Sequence, residues 1–349
     1  MPVDLARRAD PSHRFVVRRL SVDRGTDNFA EDVRRGLSAA PKFLLPKYLY
    51  DELGSRLFAA ICALPEYYLA RVESEILAAH AKDILALVKG PLRLLELGSG
   101  DAEKTPLLIA ELLERQGDLH YLPIDISASA VEASAERLLL AYPDLRITAF
   151  AADYQSGLAA ISRLPAPRAD TEHTLALFLG TTLGNLEPPE QRGLLRDLRA
   201  VLRPGDGLLL GVDLKKPARL LLPAYDDPLG VTAAFNLNLL ARINRELGGA
   251  FDLRRFQHRA IYDPGRGRIE MRIESREAQT VPIRGLAIEV AFDPGETIHT
   301  ESSYRFDREQ IAALAQATGF ALKREWTDPG RRFGVYLLEP VLTRGKPSE

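Results

Sequence analysis

The chain has 349 residues, 46% of them hydrophobic, enough for one large domain or two smaller ones around a sizeable core. A formal charge of −2 excludes bulk attraction to nucleic acid or to an anionic membrane, and a single cysteine, Cys62, excludes an internal disulfide and a multi-cysteine zinc site. No stretch approaches the roughly 20 apolar residues of a membrane span, and Met1 to Asp10 holds no apolar run of signal-peptide length, so a reducing, cytoplasmic setting is expected.

Residues 1–25 read as a tail leading into one strand, Phe15-Val16-Val17. Residues 28–88 read as mostly helical. Apolar residues recur at helical spacing from Asp51 to Ile61 and again from Glu73 to Val88, with Leu64-Pro65-Glu66-Tyr67-Tyr68 between them. From residue 92 strands and helices alternate. The predicted strands are Leu92–Leu97, His120–Ile126, Leu145–Ala151, Thr174–Leu179 and Gly207–Val212. The helices between them are Thr105–Arg115, Ala128–Tyr142, a short one near Gly157–Ser162, and Pro189–Leu202, with Pro106 tolerated in a first turn. Such alternation predicts a parallel sheet with helices on both faces.

The rhythm then breaks. A helix over Val231–Leu247 is stopped by Gly248-Gly249. Strands follow over Phe256–Tyr262, Arg268–Glu274, Leu286–Phe292 and Thr297–Arg305, with turns at Asp263-Pro264-Gly265 and Asp293-Pro294-Gly295. This is an inserted α+β module. A helix over Arg308–Thr318 and a hairpin of Phe320–Trp326 and Phe333–Leu338 return to the first pattern. Five parallel strands and the terminal pair make seven, a count and order that resemble the class I S-adenosylmethionine-dependent methyltransferase fold. The expected division places 1–68 and 216–305 in a substrate-binding domain. It places 69–215 and 306–349 in the methyl-donor domain.

Three polar signals stand at successive strand ends, where an open α/β sheet binds its ligands. Gly98-Ser99-Gly100 follows the first strand, Asp125 ends the second, and Asp153 with Tyr154 follows the third. A third glycine at dinucleotide spacing is missing and Glu96 sits in the strand end, which favours S-adenosylmethionine over a nicotinamide dinucleotide. Gly98 backbone groups suit the amino-acid tail of that cofactor. Asp125 suits the ribose hydroxyls, as an acceptor-only group. Asp153 suits the adenine amine and Tyr154 the face of the base. Lys104 is a cation at a helix start, where the dipole opposes it, and is expected to reach the cofactor carboxylate. After the fourth strand, Gly180-Thr181-Thr182-Leu183-Gly184-Asn185-Leu186 brings the chain close to an acceptor. Asn185 offers it both a donor and an acceptor, and Glu187 is the better candidate to cap the following helix.

With Leu64-Pro65-Glu66-Tyr67-Tyr68, Ala224-Tyr225-Asp226-Asp227-Pro228, Val231-Thr232-Ala233-Ala234-Phe235-Asn236, Arg268-Ile269-Glu270-Met271 and Thr300-Glu301-Ser302-Ser303, these strings resemble the histidine-specific Nα-methyltransferase family, over nearly the whole chain. The resemblance implies transfer of three methyl groups from S-adenosylmethionine to the α-nitrogen of L-histidine, giving hercynine for ergothioneine biosynthesis. It implies that Asn185, Tyr67 and Tyr225 hold the α-amino and α-carboxylate groups, and that Glu301 and Ser303 read the imidazole. Met271 becomes a pocket wall and Tyr50 another pocket tyrosine, assigned with Asn185 to catalysis. Tyr67 and Tyr68 are adjacent, so either could face the substrate. Asp101-Ala102 replaces the small pair usual in the family, with both side chains expected toward solvent or the cofactor tail. No metal, nucleic acid or membrane is expected, and the chain is taken as a monomer. The alternatives are another amino-acid acceptor, such as tryptophan or tyrosine, and a non-catalytic cofactor-binding module.

Overall fold

The computed structural model describes residues 14–20, 29–164 and 172–341. Phe15–Arg19 forms β1, Phe29–Leu37 forms α1 and Lys42–Phe43 the short β2. α2 (Glu52–Cys62) is capped by Asp51, which accepts from the Gly54 N–H at 2.7 Å; α3 spans Tyr68–Ala86. The alternating region supplies β3 (Leu92–Leu97), α4 (Pro106–Gln116), β4 (Leu119–Asp125), α5 (Ala128–Ala141), β5 (Leu145–Ala151), α6 (Tyr154–Ile161), β6 (His173–Phe178), α7 (Pro188–Val201) and β7 (Gly207–Asp213). α8 (Ala218–Leu221) and α9 (Val231–Leu247) lead into β8 (Phe256–Asp263), β9 (Arg268–Ser275), β10 (Gln279–Ile283), β11 (Ile288–Phe292) and β12 (Thr297–Tyr304). α10 (Arg308–Ala317), β13 (Phe320–Thr327) and β14 (Phe333–Pro340) complete the described chain.

The large sheet has the order β1-β5-β4-β3-β6-β7-β14-β13. It is parallel up to β7, and the last two strands run antiparallel. Without β1 this is the expected seven-stranded class I arrangement. β1 pairs with β5 and extends the sheet to eight, so Phe15–Arg19 lies in the large sheet and not with the lobe to which residues 1–68 were assigned. A long-range parallel pairing of this kind leaves no local pattern to read.

β3 is buried along its whole length, and the apolar runs of the sheet serve two cores. Leu94, Tyr121, Ile147 and Leu209 face one core; Leu95, Leu122, Phe150 and Leu210 face the other. Strands covered on both faces need apolar residues at every position, which is why they read as continuous runs. The first core continues without a break into the inserted module through Phe235, Phe256, Met271 and Ile273. There, β2-β12-β9-β8 form a second sheet and β10-β11 a hairpin.

Local chemistry explains where boundaries moved. The Asp153 carboxylate accepts from the Ser156 N–H at 2.7 Å, so α6 starts at Tyr154 rather than near Gly157. α3 starts at Tyr68, five residues before the predicted position. β11 starts at Ile288 because Arg284–Leu286 make a turn that ends in a left-handed Ala287. Glu187 occupies the N-cap of α7 as expected, and Glu190 reaches back to its N–H at 2.8 Å.

Candidate active site

The cofactor end is built on the turn after β3. Gly98 and Gly100 both have positive φ, +68° and +50°. A Cβ on Gly98 would stand 2.8 Å from the Tyr154 hydroxyl oxygen, so both backbone shape and space demand glycine there. The Gly100 N–H donates to Asp125 Oδ2 and the Ser127 N–H to Oδ1, each at 2.9 Å. Asp125 is thereby fastened to the glycine turn, with lone pairs left over. Burial nevertheless pushes its carboxyl above the usual range, against the pull of those backbone donors. Asp153 has both oxygens engaged by Ser156, through its N–H and its hydroxyl at 3.0 Å, and so acts as the cap of α6. Tyr154 stacks edge-on to Phe178 with ring centres 5.8 Å apart.

Glu96 turns inward. It accepts from the Thr105 hydroxyl at 2.8 and 3.0 Å and from the Tyr121 hydroxyl, while burial raises it to about 7. It ties the end of β3 to the start of α4 and to β4. Lys104 does not stand free for a ligand carboxylate; its ammonium pairs with Glu73 of α3. Glu73 is fully buried and also accepts from the Gly180 N–H at 2.8 and 2.9 Å. One carboxylate therefore joins the cofactor turn to the loop after β6. The sequence carried a signal for it, an acid on the apolar face of Leu69, Val72, Ile76 and Leu77, which the reading did not use. Asp101 is exposed, as expected of one facing solvent, whereas Ala102 is buried at positive φ (51°) in the turn after β3.

The acceptor end is an aromatic wall. Tyr50 packs on Phe58 and Phe235 with ring centres 5.5 Å away in each case. Tyr67 meets Phe58 at 6.1 Å and Tyr225 at 6.5 Å. Tyr50 is 41% exposed, the most accessible of the group, yet enough protein surrounds its ring to raise the phenol well above its ordinary value. The Tyr68 hydroxyl is committed to Asp213 at 2.9 Å, while Tyr67 makes no side-chain hydrogen bond among the described residues and faces Tyr225. That geometry separates the two adjacent tyrosines. Asn185 closes a single turn over Thr182–Asn185, and its buried Oδ1 has no hydrogen-bond partner among the described residues.

Glu301 and Ser303 lie two apart on β12 and so share a face. Opposite them on β9 stand Met271 and Ile269. Burial pushes the Glu301 carboxyl up to about 7, opposed only by Arg305, and no hydrogen bond satisfies it among the described residues. Its charge raises the Tyr50 phenol, behind the larger effect of burial, and adds a smaller rise at Tyr67 behind burial, Tyr225, Cys62 and Tyr50. Ser303 Oγ bonds the Tyr225 hydroxyl at 3.1 Å and Arg305 Nη1 at 2.9 Å. Met271 is 3% exposed and part of the continuous core. Tyr50, Tyr67, Tyr225, Glu301 and Ser303 are thus brought together. The two ends are linked through Glu73, which holds Lys104 at the cofactor turn and the Gly180 N–H in the loop after β6. Among the described residues, no group of three or more His, Cys, Asp or Glu is placed to hold a metal ion.

Behind this wall lies a buried network of Asp213, Lys216 and Arg305. Its only linear signs are an acid ending the apolar run of β7 and an arginine two residues after Ser303, just past β12.

A family model described as histidine-specific methyltransferase, SAM-dependent, matches residues 29–340. A histidine N-alpha-methyltransferase of Mycolicibacterium smegmatis is 41% identical over 323 residues, 91% of this chain and 97% of that protein. One of Mycobacterium tuberculosis is 41% identical over 322 residues, 92% of this chain and 98% of that protein. Ergothioneine biosynthesis protein 1 of Schizosaccharomyces pombe is 26% identical over 297 residues, 83% of this chain and 38% of that longer protein.

Proposed function

The chain belongs to the histidine-specific, S-adenosylmethionine-dependent methyltransferases, and from that premise we propose that it methylates the α-nitrogen of L-histidine three times, giving hercynine for ergothioneine biosynthesis. The observation that carries the substrate reading is Glu301, a buried carboxylate with no hydrogen bond of its own among the described residues, two residues from Ser303 and walled by tyrosines. A carboxylate that burial has stripped of most of its water gains by accepting a hydrogen bond from a ligand. An imidazole N–H supplies it, and Ser303 meets the other ring nitrogen.

The residues at the cofactor end fit S-adenosylmethionine: two glycines of positive φ open the backbone, and Asp125 keeps acceptor capacity beside them. Bound there, it supplies an electrophilic methyl carbon on a sulfonium. The remaining work is positioning. In-line displacement needs a neutral amine with its lone pair aimed at that carbon. In the first two transfers Asn185 Oδ1 accepts one amine N–H and turns the lone pair forward; the dimethylated amine of the third has no N–H left and is held by its carboxylate and ring contacts. Tyr67 and Tyr225 hold the amino-acid end. The C–N bond forms as the C–S bond breaks, and the amine proton leaves to water before each following round. Orientation of this kind can contribute roughly 7–11 kcal/mol, so no general base is required. The faces of Tyr50 and Tyr67 suit the cation that forms at the third transfer, which supports trimethylation.

In this reading residues 69–215 and 306–349 bind the donor. Residues 1–68 and 216–305, apart from the β1 strand, bind the acceptor. The enzyme works in the cytoplasm as a monomer on the free amino acid, without metal, nucleic acid or membrane; a lone cysteine suits a reducing compartment. A time course followed by mass spectrometry, with histidine and excess donor, tests the count of transfers. The product should end at three added methyl groups, and a stable end point at one or two contradicts the trimethylation.

Asp125→Ala should weaken S-adenosylmethionine binding about tenfold in calorimetry, the worth of one or two lost hydrogen bonds. Unchanged affinity would remove Asp125 from the ribose site.

Glu301 also sets a pH dependence. Tyr50, Tyr67, Tyr225 and Arg305 face it, and burial holds its carboxyl at about 7 in the empty site. The carboxyl is neutral below that value and cannot then accept fully from a ring N–H; it is charged above it. Histidine affinity should therefore rise as the pH increases through about 7. The part owed to Glu301 is the part missing in Glu301→Gln, since the ligand's own ring titrates near ~6.5 in both proteins. Equal pH profiles for the two proteins would contradict this.

A further inference from the structure

Resting on the histidine reading above, we infer that Arg305 is a positioning residue for the imidazole. Held by Asp213, it orders the hydroxyls of Ser303 and Tyr225 so that the pair turns one O–H toward the ligand. The site then takes the ring as a single neutral tautomer, with its N–H at Glu301 and its bare nitrogen at that O–H.

Arg305 follows β12 and is fully buried, with Nε 2.6 Å from Asp213 Oδ2. Asp213 ends β7 in the large sheet, so the pair spans from the donor-side sheet to the strand that carries Glu301. Asp213 also receives the Tyr68 hydroxyl at 2.9 Å and Lys216 Nζ at 2.5 Å. Arg305 Nη1 donates to Ser303 Oγ at 2.9 Å and to the Ser303 and Tyr304 carbonyls at 3.0 Å. Its guanidinium carbon stands 5.0 Å from the centre of the Tyr225 ring.

A guanidinium carries five N–H groups and no lone pair. Ser303 can therefore only accept from it. The two hydroxyls of Ser303 and Tyr225 own two protons, and one is spent on their mutual bond at 3.1 Å. The other finds no acceptor in Arg305, and no further acceptor bonds either hydroxyl among the described residues. It turns into the site. On the same strand face, Glu301 offers an acceptor with no partner. One acceptor and one donor match a neutral imidazole, which has one N–H and one bare nitrogen. They do not match an imidazolium, whose second N–H would meet an O–H donor. The network adds charge to that preference, because Asp213 answers two cations, Arg305 and Lys216.

A buried ion pair that only braced the two lobes would also be fully enclosed, so the test must read something bracing does not move. Histidine labelled with nitrogen-15 in the ring, bound to the wild-type enzyme with S-adenosylhomocysteine, gives one shift for each ring nitrogen. At a pH near the free ring's own value, ~6.5, the expected spectrum shows one protonated and one bare nitrogen. A doubly protonated ring, in an enzyme that methylates histidine, overturns this inference alone. Failure of histidine to bind or react would instead overturn the substrate reading on which it rests.

Kinetics of Arg305→Lys, Ser303→Ala and the double variant give a second reading. Lysine keeps the charge beside Asp213 but lacks the fork that reaches Ser303. Arg305→Lys should raise the histidine KM about tenfold, the scale of one lost charge-assisted hydrogen bond. The KM for the methyl donor should stay put. In the Ser303→Ala background the same change should add little, because Arg305 acts through that hydroxyl. Effects that multiply, or an unaltered histidine KM in Arg305→Lys, contradict the positioning role.

Discussion

Glu301→Ala should lower kcat/KM for histidine about a hundredfold while leaving the affinity for S-adenosylmethionine unchanged. The size follows from what is lost. A hydrogen bond to a charged, buried acceptor is worth about 1.5–3 kcal/mol, and about 1.4 kcal/mol is a factor of ten. The loss should fall mainly on KM, because the ring lies away from the reacting nitrogen. Alanine also leaves the ring N–H unpaired in a buried site, the situation in which a recognition site discriminates most strongly. The empty protein should lose no stability on that account, since its carboxyl has no hydrogen bond to break among the described residues and burial opposes its charge. Ring selectivity should relax at the same time. Unchanged histidine kinetics in this variant would remove the imidazole from Glu301.

Asn185→Ala should act on the other parameter. Its Oδ1 is buried and unpartnered among the described residues, at the end of a turn fixed by the approach of Gly184 to the Tyr304 carbonyl, where a Cβ would come within 2.8 Å. Removing the amide leaves the ring contacts intact and frees the amine to rotate. A misplacement of about 1 Å at a reacting centre can cost about a hundredfold in rate. The expected result is a kcat lower by about that factor, with a much smaller change in histidine KM. Equal losses in KM with kcat preserved would mean that Asn185 anchors the substrate and does not aim it.

The two variants divide the site along a line that the sequence showed unevenly. β3, β5 and α9 were readable to the residue. Strands buried on both faces spell apolar runs, and Gly248-Gly249 ends its helix with a left-handed cap. The placement of the glycine turn, Asp125 and Asp153 at successive strand ends was readable because strands and helices alternate there. Asn185 was readable for the same reason. Glu301 and Ser303 were not. An acid and a serine two apart on a strand describe a solvated face equally well, and only the family resemblance singled them out. The pairings of Glu73, Asp213 and Arg305 were unreadable for a deeper reason. A buried charge is tolerated only with its partner, and these partners come from elements far apart in the chain: Glu73 on α3 with Lys104 at α4, Asp213 on β7 with Arg305 after β12. Lys104 shows the consequence, since its expected ligand carboxylate is answered by a protein carboxylate. β10 escaped as well, because Pro282 inside it argues against a strand unless the strand lies at an edge, as this hairpin does.

The measurement that bears most directly on the whole account is a competition. Purified protein is incubated with S-adenosylmethionine carrying an isotopically labelled methyl group and an equimolar mixture of the standard amino acids, and the products are resolved by mass spectrometry. Trimethylated histidine as the dominant labelled product is the predicted result. A different amino acid carrying the label would contradict the assignment of Glu301 and Ser303 to the imidazole.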